Sequence, residues 1–457
     1  MTPLDSRVCD ANAASLGVPV RDLMGAAGRS LADALESRYP GCRALFVCGS
    51  GNNGGDGFAA ASRMDPERAG VALLCEPSRI RSDDARFYYS VLECPISAYS
   101  AELLAEYDVI VDCALGTGMS GAVREPYRSF ILDANASGKP IVSADVPSGL
   151  GTDACVKPDL TVTFVDVKDG MSQESCGEII VADIGMPYEA LACVGPGDML
   201  RYPVPGRDSH KGQNGRLMVI AGGPYFGAPA MCAYSALRVG ADIVRVFCPE
   251  SVRDAVSRIS PVLMITALPG DRLTPESIGM LLEESENYDA VLIGPGLGTS
   301  EDTMEAVQSF VSKCRTPMVI DADGLTAIAG TRLEAPAVLT PHRGEFARLG
   351  GNTPEELSRQ MNAVVLLKGA SDIVSDGMRT RTNRSGTPAM TGAGTGDVLA
   401  GCVAGLLSKG MSPFDAACLG AYITGKAGEA AFSSKSYGLI ATDVAECIPD
   451  VLRDGLR

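Results

Sequence analysis

The stretch that decides the fold of this chain lies near its N-terminus and reads Gly49-Ser50-Gly51-Asn52-Asn53-Gly54-Gly55-Asp56-Gly57-Phe58. It follows the apolar run Ala44-Leu45-Phe46-Val47-Cys48, so it predicts a buried strand, a glycine-rich turn and a helix that begins near Phe58. Glycines allow the backbone to approach a ligand and to direct N–H groups toward an anion at a helix N-terminus. The stretch therefore predicts a site for a phosphate-bearing ligand.

Three polar side chains distinguish this stretch from an ordinary dinucleotide-binding turn. The spacing Gly49-x-Gly51-x-x-Gly54 matches the dinucleotide fingerprint, and Glu76 ends the next apolar run where a ribose-binding acid is expected. However, Asn52, Asn53 and Asp56 add amide and carboxylate groups where such a turn usually presents only backbone. The stretch therefore indicates chemistry or ion binding in addition to a phosphate cradle.

Composition limits the classes of protein and of partner. The chain has 457 residues, 46% of them hydrophobic and 21% charged, which predicts two or three soluble domains. Its net charge of -17, from 39 basic and 56 acidic side chains, argues against nucleic acid or an anionic membrane as partner. Small nucleotides are not excluded, because glycine loops and helix dipoles can hold them. We expect small-molecule substrates and a homo-oligomer.

The N-terminus and the cysteines indicate the compartment. No basic segment followed by an apolar one is present at the start, and no window has the roughly 18 apolar residues of a membrane helix. We therefore expect a cytoplasmic protein. The 15 cysteines include no Cys-x-x-Cys pair and favour reduced thiols in the core, and with only 2 histidines a zinc cluster is not expected.

The chain is organised as two successive α/β patterns. Strands are predicted at 44–48, 71–75, 109–113, 141–145, 160–166 and 178–183, and then at 216–220, 243–248, 262–267, 290–293, 318–321, 337–340 and 364–367. Helical patterns include 21–37, 127–137, 396–409 and 413–432. Strand–helix alternation predicts parallel sheets covered by helices on both faces. The Pro- and Gly-rich passage at 195–206 marks the expected boundary, and no sequence repeat relates the halves.

Oxygen-rich residues follow three strands of the first half. Besides the glycine-rich stretch, Asp112 leads into Gly116-Thr117-Gly118, and Asp145 leads into Pro147-Ser148-Gly149. Ligands of open α/β sheets bind beyond the carboxyl ends of the strands. A single acid there is often only a cap or turn residue, whereas three such ends favour a ligand site. Asn53, Asp112 and Ser148 supply hard oxygen ligands, which suit an alkali or alkaline-earth cation.

The motifs GSGNNGGDG, VDCALGTG and SADVPSG, in this order, resemble the NAD(P)H-hydrate epimerase domain, a Rossmann-like parallel three-layer sandwich, over residues 1–200. The resemblance also includes Leu23-Met24 and Ala27-Gly28. It implies potassium ligands Asn53, Asp112 and Ser148. It implies a hydrated-dinucleotide site formed by Asn52, Asn53, Gly54, Gly55, Asp56, Gly116, Thr117, Gly118, Met119, Ser120, Gly121, Ala122 and Asp145.

The second half carries a glycine turn of its own, Thr391-Gly392-Ala393-Gly394-Thr395-Gly396-Asp397, which precedes an apolar helix. Its N–H groups can form an anion hole at the positive end of the helix dipole, with Asp397 as a possible base for phosphoryl transfer. A glycine turn that only caps a buried helix is the alternative. Other polar strand ends include Asp321-Ala322-Asp323, the turn at His342 and the segment from Lys368. His342 stands in a turn, which favours a ligand contact over a core position.

The motifs HKG, GPGLG, DADGL, TPHRGEF and GTGDVLAG resemble the ADP-dependent NAD(P)H-hydrate dehydratase, a ribokinase-like α/β sandwich, over residues 205–457. The resemblance implies that Lys368, Gly369, Ala370, Ser371, Asp372 and Gly396 hold the nucleotide. Ala228, Gly296, His342 and Asp397 would face the hydrated cofactor. The family usually has paired glycines where this chain has Ala393-Gly394, and an alanine would matter if that position needed a positive φ.

Together the two resemblances imply a bifunctional isomerase and lyase that repairs hydrated NADH and NADPH. The first domain would epimerise the R- and S-forms at a potassium site, with Asp145 or Asp56 as the proton-shuttling carboxylate. The second would dehydrate the S-form with Mg²⁺ and ADP, which becomes AMP and phosphate, with Asp397 as base. Alternatives are a ribokinase-like small-molecule kinase with a cofactor-binding N-terminal domain, an inactive dinucleotide-binding module, and a Rossmann dehydrogenase. ADP or ATP, and NADH or NADPH, stay open as preferences.

Overall fold

The computed structural model of the protein describes residues 1–119 and 121–456. The chain divides into two compact units, Met1–Ala190 and Leu191 onward. This division lies before the expected end of the first domain at residue 200. The linking stretch bonds into the second unit: the Val194 N–H donates to the carbonyl of Thr382 (2.9 Å), and Arg381 contacts the carbonyl of Cys193 and the carboxylate of Asp198.

The first unit is a seven-stranded parallel sheet with helices on both faces, as the strand–helix alternation predicted. Its strands are β1 (Ala44–Cys48), β2 (Ala69–Leu73), β3 (Ile96–Ala98), β4 (Val109–Cys113), β5 (Ile141–Ala144), β6 (Leu160–Phe164) and β7 (Glu178–Ala182). Its helices are α1 (Pro3–Ser15), α2 (Val20–Arg38), α3 (Asn52–Ala61), α4 (Asp83–Ser90), α5 (Tyr127–Ala136) and α6 (Gln173–Cys176), and α7 (Tyr188–Ala192) leads out of it.

The strand order β3-β2-β1-β4-β5-β6-β7 reverses direction between β1 and β4. All five residues of β1 are buried, Phe46 against one face of the sheet and Leu45 and Val47 against the other. A crevice forms beyond the carboxyl ends of the strands where the order reverses, and ligands of such sheets bind there. The glycine-rich stretch after β1 therefore lies at the expected position.

The helix after β1 begins at Asn52, so the prediction of a start near Phe58 was wrong. The polar and glycine residues of the stretch form the first turns of α3, with Gly51 at its N-cap. Gly54 lies against the carbonyl of Gly49, and a Cβ there would collide with that oxygen. A helix whose first turns are rich in glycine resembles a loop in the sequence, because glycine usually disfavours helices.

The glycines of α3 allow close packing between helices and sheet. A Cβ on Gly57 would lie 2.7 Å from both Cβ of Cys113 and Sγ of Cys48 on the sheet below. On the other side, a Cβ on Gly28 of α2 would lie 2.5 Å from Cβ of Ala59. Because Gly57 and Gly28 have no side chain, α3 lies close to both the sheet and α2. This close packing fixes the position of the polar N-terminus of α3.

The second unit is a nine-stranded sheet in the order β10-β9-β8-β11-β12-β13-β14-β15-β16. Its strands are β8 (Arg216–Ile220), β9 (Ile243–Pro249), β10 (Met264–Leu268), β11 (Ala290–Ile293), β12 (Met318–Ile320), β13 (Ala337–Leu339), β14 (Val364–Leu367), β15 (Asp372–Ser375) and β16 (Thr380–Asn383). Its helices are α8 (Gly227–Arg238), α9 (Glu250–Ser257), α10 (Ile278–Ser285), α11 (Glu301–Lys313), α12 (Asp323–Ala327), α13 (Arg343–Arg348), α14 (Pro354–Met361), α15 (Thr395–Ser408), α16 (Pro413–Lys435) and α17 (Ala441–Gly455).

This sheet is parallel from β10 to β14 and antiparallel at β15 and β16, which the sequence analysis did not predict. The two strands are short, and β16 reads Thr-Arg-Thr-Asn, so neither has the apolar run that reveals the other strands. The short edge strand β3 was missed as well, because its three residues are exposed. The predicted two-domain α/β class is confirmed.

Helix α15 packs against α8 through glycines. A Cβ on Gly401 would lie 2.7 Å from Cα of Cys232, and one on Gly405 would lie 3.1 Å from Cα of Ala236. Eleven consecutive residues of α15, from Val398 to Ser408, are buried. The N-terminal end of α15, which carries Asp397, is therefore fixed by a helix in the core.

Two further expectations concern the membrane and the cysteines. Among the described residues, no helix combines the length and the apolar character that crossing a membrane requires. Cys48, Cys113, Cys232 and Cys402 are free thiols and are fully buried, as expected of cysteines that serve as small core residues.

Candidate active sites

The first unit contains a cavity of about 890 Å³ beyond the carboxyl ends of its central strands. This volume lies within the range of cavities that bind small molecules. Eight of the residues predicted for the first site line it: Asn52, Asn53, Asp56, Gly116, Thr117, Gly118, Met119 and Asp145. Residues that lie far apart in the sequence are thus brought to one cavity.

The other residues predicted for this site lie elsewhere or are not described. Gly54 and Gly55 are buried within α3, where a Cβ on Gly55 would lie 2.7 Å from Sδ of Met24. Gly121 and Ala122 are exposed and do not line the cavity. Ser120 lies outside the described residues.

Asp145 occupies a strained turn at the end of β5 and pairs with a lysine. Its φ is 61°, in the left-handed region that residues other than glycine rarely adopt. Its Oδ1 forms an ion pair with Lys168 and accepts the N–H of Phe164 (3.3 Å). Lys168 is only 5% exposed, and its ammonium also donates to Oγ1 of Thr163 (3.0 Å) and to the carbonyl of Phe164. The carboxylate is therefore held in one orientation.

Two more carboxyl groups line the same cavity with raised pKa values. Burial, and then the charge of Asp145, raises the pKa of Asp10 to about 6, and Lys168 opposes this rise. Burial raises the pKa of Asp56 well above its ordinary value, and the charges of Asp145 and Asp10 add to the rise. Like charges in one partly desolvated space disfavour ionisation of each other. The cavity thus holds carboxyl groups suited to moving protons near neutral pH.

The residues predicted to bind a cation meet beneath the cavity. The amide of Asn53 donates to the carbonyl of Leu115 (3.0 Å), while its buried Oδ1 has no hydrogen-bond partner among the described residues. Asp112 is fully buried and accepts the N–H of Ser148 (2.8 Å) and the hydroxyls of Ser148 (2.5 Å) and Ser143 (2.9 Å). A buried carboxylate and an unsatisfied carbonyl oxygen form a donor set that suits a hard monovalent cation.

Burial and hydrogen bonding have opposite effects on the single acid at this site. Desolvation raises the pKa of Asp112, although hydrogen bonds from Ser148 and Ser143 oppose the rise. A cation beside the carboxylate would favour the charged form. Within the described residues, no group of three or more His, Cys, Asp or Glu side chains could hold a metal. The donors here are instead an amide, a hydroxyl and one carboxylate.

Asp10 and Lys168 also line this cavity but were not predicted from the sequence. Asp10 lies on α1, in a segment that precedes any strand and carries no glycine motif. Lys168 follows β6 just as Asp145 follows β5, so the position of a charged residue after a strand was a usable signal. Lys368, which follows β14, was predicted on that ground, whereas Lys168 was not.

The second unit collects its predicted residues where β12, β13 and β14 end and α15 begins. Lys368 forms an ion pair with the buried Asp321 (Nζ to Oδ1, 2.8 Å), which also accepts the hydroxyl of Thr340 (2.8 Å). Burial alone would lower the pKa of Lys368, but the charge of Asp321 and its hydrogen bond raise it. The ammonium is therefore kept charged, and a Cβ built on Gly396 would lie 3.5 Å from it.

Asp397 lies in the first turn of α15, a helix of 14 residues whose N-cap is Gly394. Burial, and then the charge of Asp321, raises the pKa of Asp397 to about 6, and Lys368 opposes the rise. The first N–H groups of a helix have no partner within it and favour an anion. Amides, an ammonium and a carboxyl group of raised pKa thus meet at one point, as phosphoryl transfer requires.

The alanine that departs from the family pattern causes no backbone strain. Gly394 has a φ of 90°, in the region that favours glycine, whereas Ala393 is not among the described residues with positive φ. The position that needs glycine therefore has it. The alanine methyl is exposed, so the helix N-terminus keeps its geometry.

His342 caps a short helix, a role that the sequence analysis did not assign. Its Nδ1 accepts the N–H groups of Gly344 (2.9 Å) and Glu345 (3.2 Å), and Glu345 accepts the N–H of His342 (2.8 Å). The imidazole is 57% exposed, and the residue pairs with Lys368 in an isolated β-bridge. The backbone thus brings His342 beside Lys368, and Nε2 of the imidazole lies 3.5 Å from Oε1 of Glu345.

The remaining predicted residues form two further groups. A Cβ on Gly296 would lie 3.3 Å from Cβ of Ala228, so these two positions are adjacent. Gly369, Ala370 and Ser371 are exposed between β14 and β15. Asp372 folds back on this turn, where it accepts the N–H of Gly369 (3.0 Å) and the amide of Asn383 (3.0 Å).

Comparison with known families matches both units. Residues 217–450 match the family described as NAD(P)H-hydrate dehydratase, and residues 20–170 match the family described as YjeF-related protein N-terminus. The chain is 40% identical to the bifunctional NAD(P)H-hydrate repair enzyme Nnr of Pyrobaculum aerophilum, over 99% of this chain and 98% of that protein. It is 39% identical to the protein of the same name from Methanothermobacter thermautotrophicus, over 100% of this chain and 96% of that one.

Solved structures support the fold of the second unit. A ribokinase-like superfamily protein from Enterococcus faecalis superposes with a TM-score of 0.53 and 22% identity, over 59% of this chain and 98% of that one. The ADP/ATP-dependent NAD(P)H-hydrate dehydratase of Bacillus subtilis, co-crystallised with ATP/Mg²⁺, gives a TM-score of 0.50 and 24% identity, over 58% of this chain and 99% of that one. The predicted ribokinase-like class is thereby confirmed.

Proposed function

Because the chain belongs to the family of bifunctional NAD(P)H-hydrate repair enzymes, we propose that its first unit epimerises hydrated NADH and NADPH and its second unit dehydrates the S-form. The observation that carries this proposal is the presence of two separate constellations. One gathers carboxylates and an oxygen-ligand set in a cavity, and the other gathers an ammonium, a carboxyl group and a helix N-terminus. A kinase with an inert first unit would leave the first constellation unexplained.

The first reaction needs proton transfer and stabilisation of a cation. The hydrated cofactor carries a hydroxyl on C6 of the nicotinamide ring, next to the ring nitrogen. When the C6–O bond breaks, its electron pair leaves with the oxygen, and the nitrogen lone pair forms a C=N bond. Water can then return to either face. The carboxylates of Asp145 and Asp56 line the cavity, where either can stabilise the positive ring and shuttle the proton.

We propose that potassium binds through Asn53, Asp112 and Ser148. Among the described residues, the buried Oδ1 of Asn53 has no hydrogen-bond partner. Asn53 and Ser148 both donate to the carbonyl of Leu115, and Ser148 also contacts the buried Asp112, which supports this assignment. A bound cation would supply positive charge that attracts the phosphates of the substrate, and it would hold the loop after β4 against α3. Asn53 on α3 already contributes to this contact, since its amide donates to the carbonyl of Leu115 (3.0 Å).

Potassium should stabilise the folded protein as well as support epimerisation. Replacing K⁺ by tetramethylammonium should lower both the epimerase rate and the melting temperature, because the cation binds only the folded state. At a hundredfold excess over its dissociation constant, a ligand adds about 2.7 kcal/mol of stability. Differential scanning calorimetry with and without K⁺ measures this effect directly.

The Asn53→Ala variant should lose the response of the melting temperature to K⁺. The exposed Asn352→Ala is the matched control and should keep it. An unchanged response in Asn53→Ala would place the cation elsewhere, whatever its effect on the rate.

The second reaction would convert a poor leaving group into a good one. The C6 hydroxyl oxygen attacks the terminal phosphorus of ADP, its proton passes to Asp397, and the bond to AMP breaks. The phosphate group of the new ester then leaves C6 and takes the electron pair of the C6–O bond. The ring nitrogen forms the cation, and loss of the C5 proton restores NADH. The α15 N-terminus and Lys368 would stabilise the phosphoryl group. Mg²⁺ would enter with the nucleotide phosphates.

The pH dependence of dehydration should follow the carboxyl group of Asp397. A base acts only when ionised, and burial together with Asp321 raises the pKa of Asp397 to about 6. Because kcat/KM reports ionisation of the free enzyme, kcat/KM should rise about tenfold for each pH unit below 6 and level off above it. Initial rates between pH 5 and 8.5 test this, and a flat profile over that range would contradict the assignment.

One assay tests the function as a whole. The purified protein is incubated with hydrated NADH, K⁺, Mg²⁺ and either ADP or ATP, and the absorbance of restored NADH is followed. We expect full recovery of a mixture of R- and S-forms with ADP. Recovery of the S-form alone would leave only the second activity, and no recovery would refute the proposal. A homo-oligomer stays a prediction.

A further inference from the structure

The cavity of the first unit holds more acid–base groups than one proton shuttle needs, and their surroundings differ. The ionisable groups that line it are the amino group of Met1 and the side chains of Arg7, Cys9, Asp10, Asp56, Arg81, Tyr127, Asp145 and Lys168. Three are carboxyl groups, and one of these, Asp145, is in an ion pair with Lys168. Because these groups differ in position, proton exchange and stabilisation of the cationic ring can be carried out by two different carboxyl groups.

We propose that Asp10 exchanges the proton with the C6 hydroxyl, while Lys168 holds Asp145 as a fixed carboxylate that stabilises the cationic ring. This inference rests on the proposed epimerase function and assigns roles within it. Asp10 would be a catalytic residue, and Lys168 a positioning residue that acts through Asp145.

Lys168 has no proton to spare for the substrate. An ammonium group has three donors. In Lys168 they go to Oδ1 of Asp145, to Oγ1 of Thr163 and to the carbonyl of Phe164, all within the protein. These contacts fix Asp145 in its left-handed turn. Because the bonds to Asp145 all use Oδ1, Oδ2 is left for a ligand.

Asp10 lies on a helix that is anchored at both ends. A capping box of Thr2 and Asp5 closes its N-terminus (Asp5 N–H to Oγ1 of Thr2, 3.0 Å; Thr2 N–H to Oδ2 of Asp5, 2.9 Å). Asn12, two residues beyond Asp10 and toward the other end, donates to the carbonyl of Ala190 (3.4 Å). Asp10 is therefore presented to the cavity from a rigid element.

The charges around Asp10 suit a group that must gain and lose a proton. Burial and the charge of Asp145 raise the pKa of Asp10 to about 6, so both of its forms are populated near neutral pH. Burial, and then the charges of Asp145 and Asp10, raises the pKa of Asp56 well above its ordinary value.

The proposed step is balanced. Protonated Asp10 gives its proton to the C6 hydroxyl, and the C6–O bond breaks with its electron pair on the oxygen, which leaves as water. The ring-nitrogen lone pair forms the C=N bond, and the resulting positive charge faces the Asp145 carboxylate. When water adds to the other face of C6, its proton returns to Asp10. No oxidant, reductant or further reactant is needed.

The test measures epimerisation and dehydration separately in the full-length chain. Conversion of the R- to the S-hydrate is followed by chromatography with K⁺ present and ADP omitted. Asp10→Asn should lower this rate about a hundredfold or more, while ADP-dependent dehydration of pure S-hydrate stays at the wild-type level. Asp10→Glu should restore part of the rate. The exposed Asp33→Asn is the matched control and should epimerise normally.

Stability separates a catalytic role of Asp10 from a structural one. The folded-state pKa of Asp10 lies above its unfolded value, so its ionisation weakens the fold as pH rises from about 4 to 6, and the lost stability stays lost at higher pH. Asp10→Asn removes this effect and should melt at or above the wild-type temperature at pH 7.5. A lower melting temperature together with a normal rate would assign Asp10 to structure.

Lys168 is tested by a conservative pair of variants. Lys168→Met should lower the epimerase kcat more than it raises KM, because Asp145 loses its orientation, and Lys168→Arg should restore part of kcat. Equal loss in both variants would overturn the positioning role. An Asp10→Asn enzyme within threefold of the wild-type rate would overturn the role of Asp10. Absence of epimerisation in the wild-type protein would instead refute the proposed function itself.

Discussion

Replacing Asp397 by Ala or Asn should stop nucleotide-dependent recovery of NADH. Asp397 is the carboxyl group at the start of α15, and the pKa that burial and Asp321 raise to about 6 makes it a competent base at neutral pH. Loss of a positioned general base typically costs 10²- to 10⁴-fold in rate, and we expect a fall of about that size. The measurement is the initial rate of NADH formation from pure S-hydrate with ADP and Mg²⁺.

The same variant should epimerise at the wild-type rate, since the cavity with Asp145 lies in the other unit. Asp302→Ala, at an exposed position on α11, is the matched control and should keep both activities. Full dehydratase turnover in Asp397→Ala would falsify the assignment of the base. Loss of both activities would point to misfolding, which circular dichroism would reveal.

Replacing Lys368 by Met should cost both dehydration and stability. The ammonium neutralises Asp321, which is 2% exposed, so the variant would leave a buried carboxylate without its partner. Breaking a buried ion pair in this way costs about 3 kcal/mol in the free energy of unfolding. The rate should fall about a hundredfold or more, because a charged donor beside Gly396 is lost from the phosphoryl site. Urea denaturation and initial rates measure the two effects.

A second substitution separates these effects. In Lys368→Met with Asp321→Asn, no buried charge is left unpaired, and the amide oxygen can still accept the hydroxyl of Thr340. The double variant should regain most of the lost stability but none of the lost rate. Lys313→Met, at an exposed position on α11, should change neither quantity. Recovery of the rate in the double variant would mean that Lys368 acts only on the fold.

The sequence predicts the strands of this protein well because buried parallel strands are continuous apolar runs. The runs at β1, β4, β8, β11 and β14 have the predicted bounds. It fails where glycine forms a helix rather than a loop, as at α3, since the reason is a close approach of other elements that are distant in the chain. It also fails at β16, whose polar residues are recognisable as a strand only once β15 lies beside them.

The residues of the candidate sites likewise differ in whether a local sequence signal marks them. Asp145 and Asp397 were found because each stands at a strand end or helix start with glycines beside it. Asp10 carries no such mark, and only the folded chain brings α1 to the cavity. The capping role of His342 depends on the start of α13, which the sequence analysis did not place. Local motifs therefore reveal the residues that one segment supplies, while partners from other segments need the structure.

The packing of α15 on α8 has a mechanical consequence for the base at its tip. Gly401 lies against the main chain of Cys232 and Oγ of Ser235, and Gly405 lies against the main chain of Ala236 and Cγ1 of Val239. A Cβ at either glycine would force these neighbours to shift, because protein interiors are closely packed. The distance of α15 from α8, and with it the position of Asp397, therefore depends on the absence of a side chain at these two glycines.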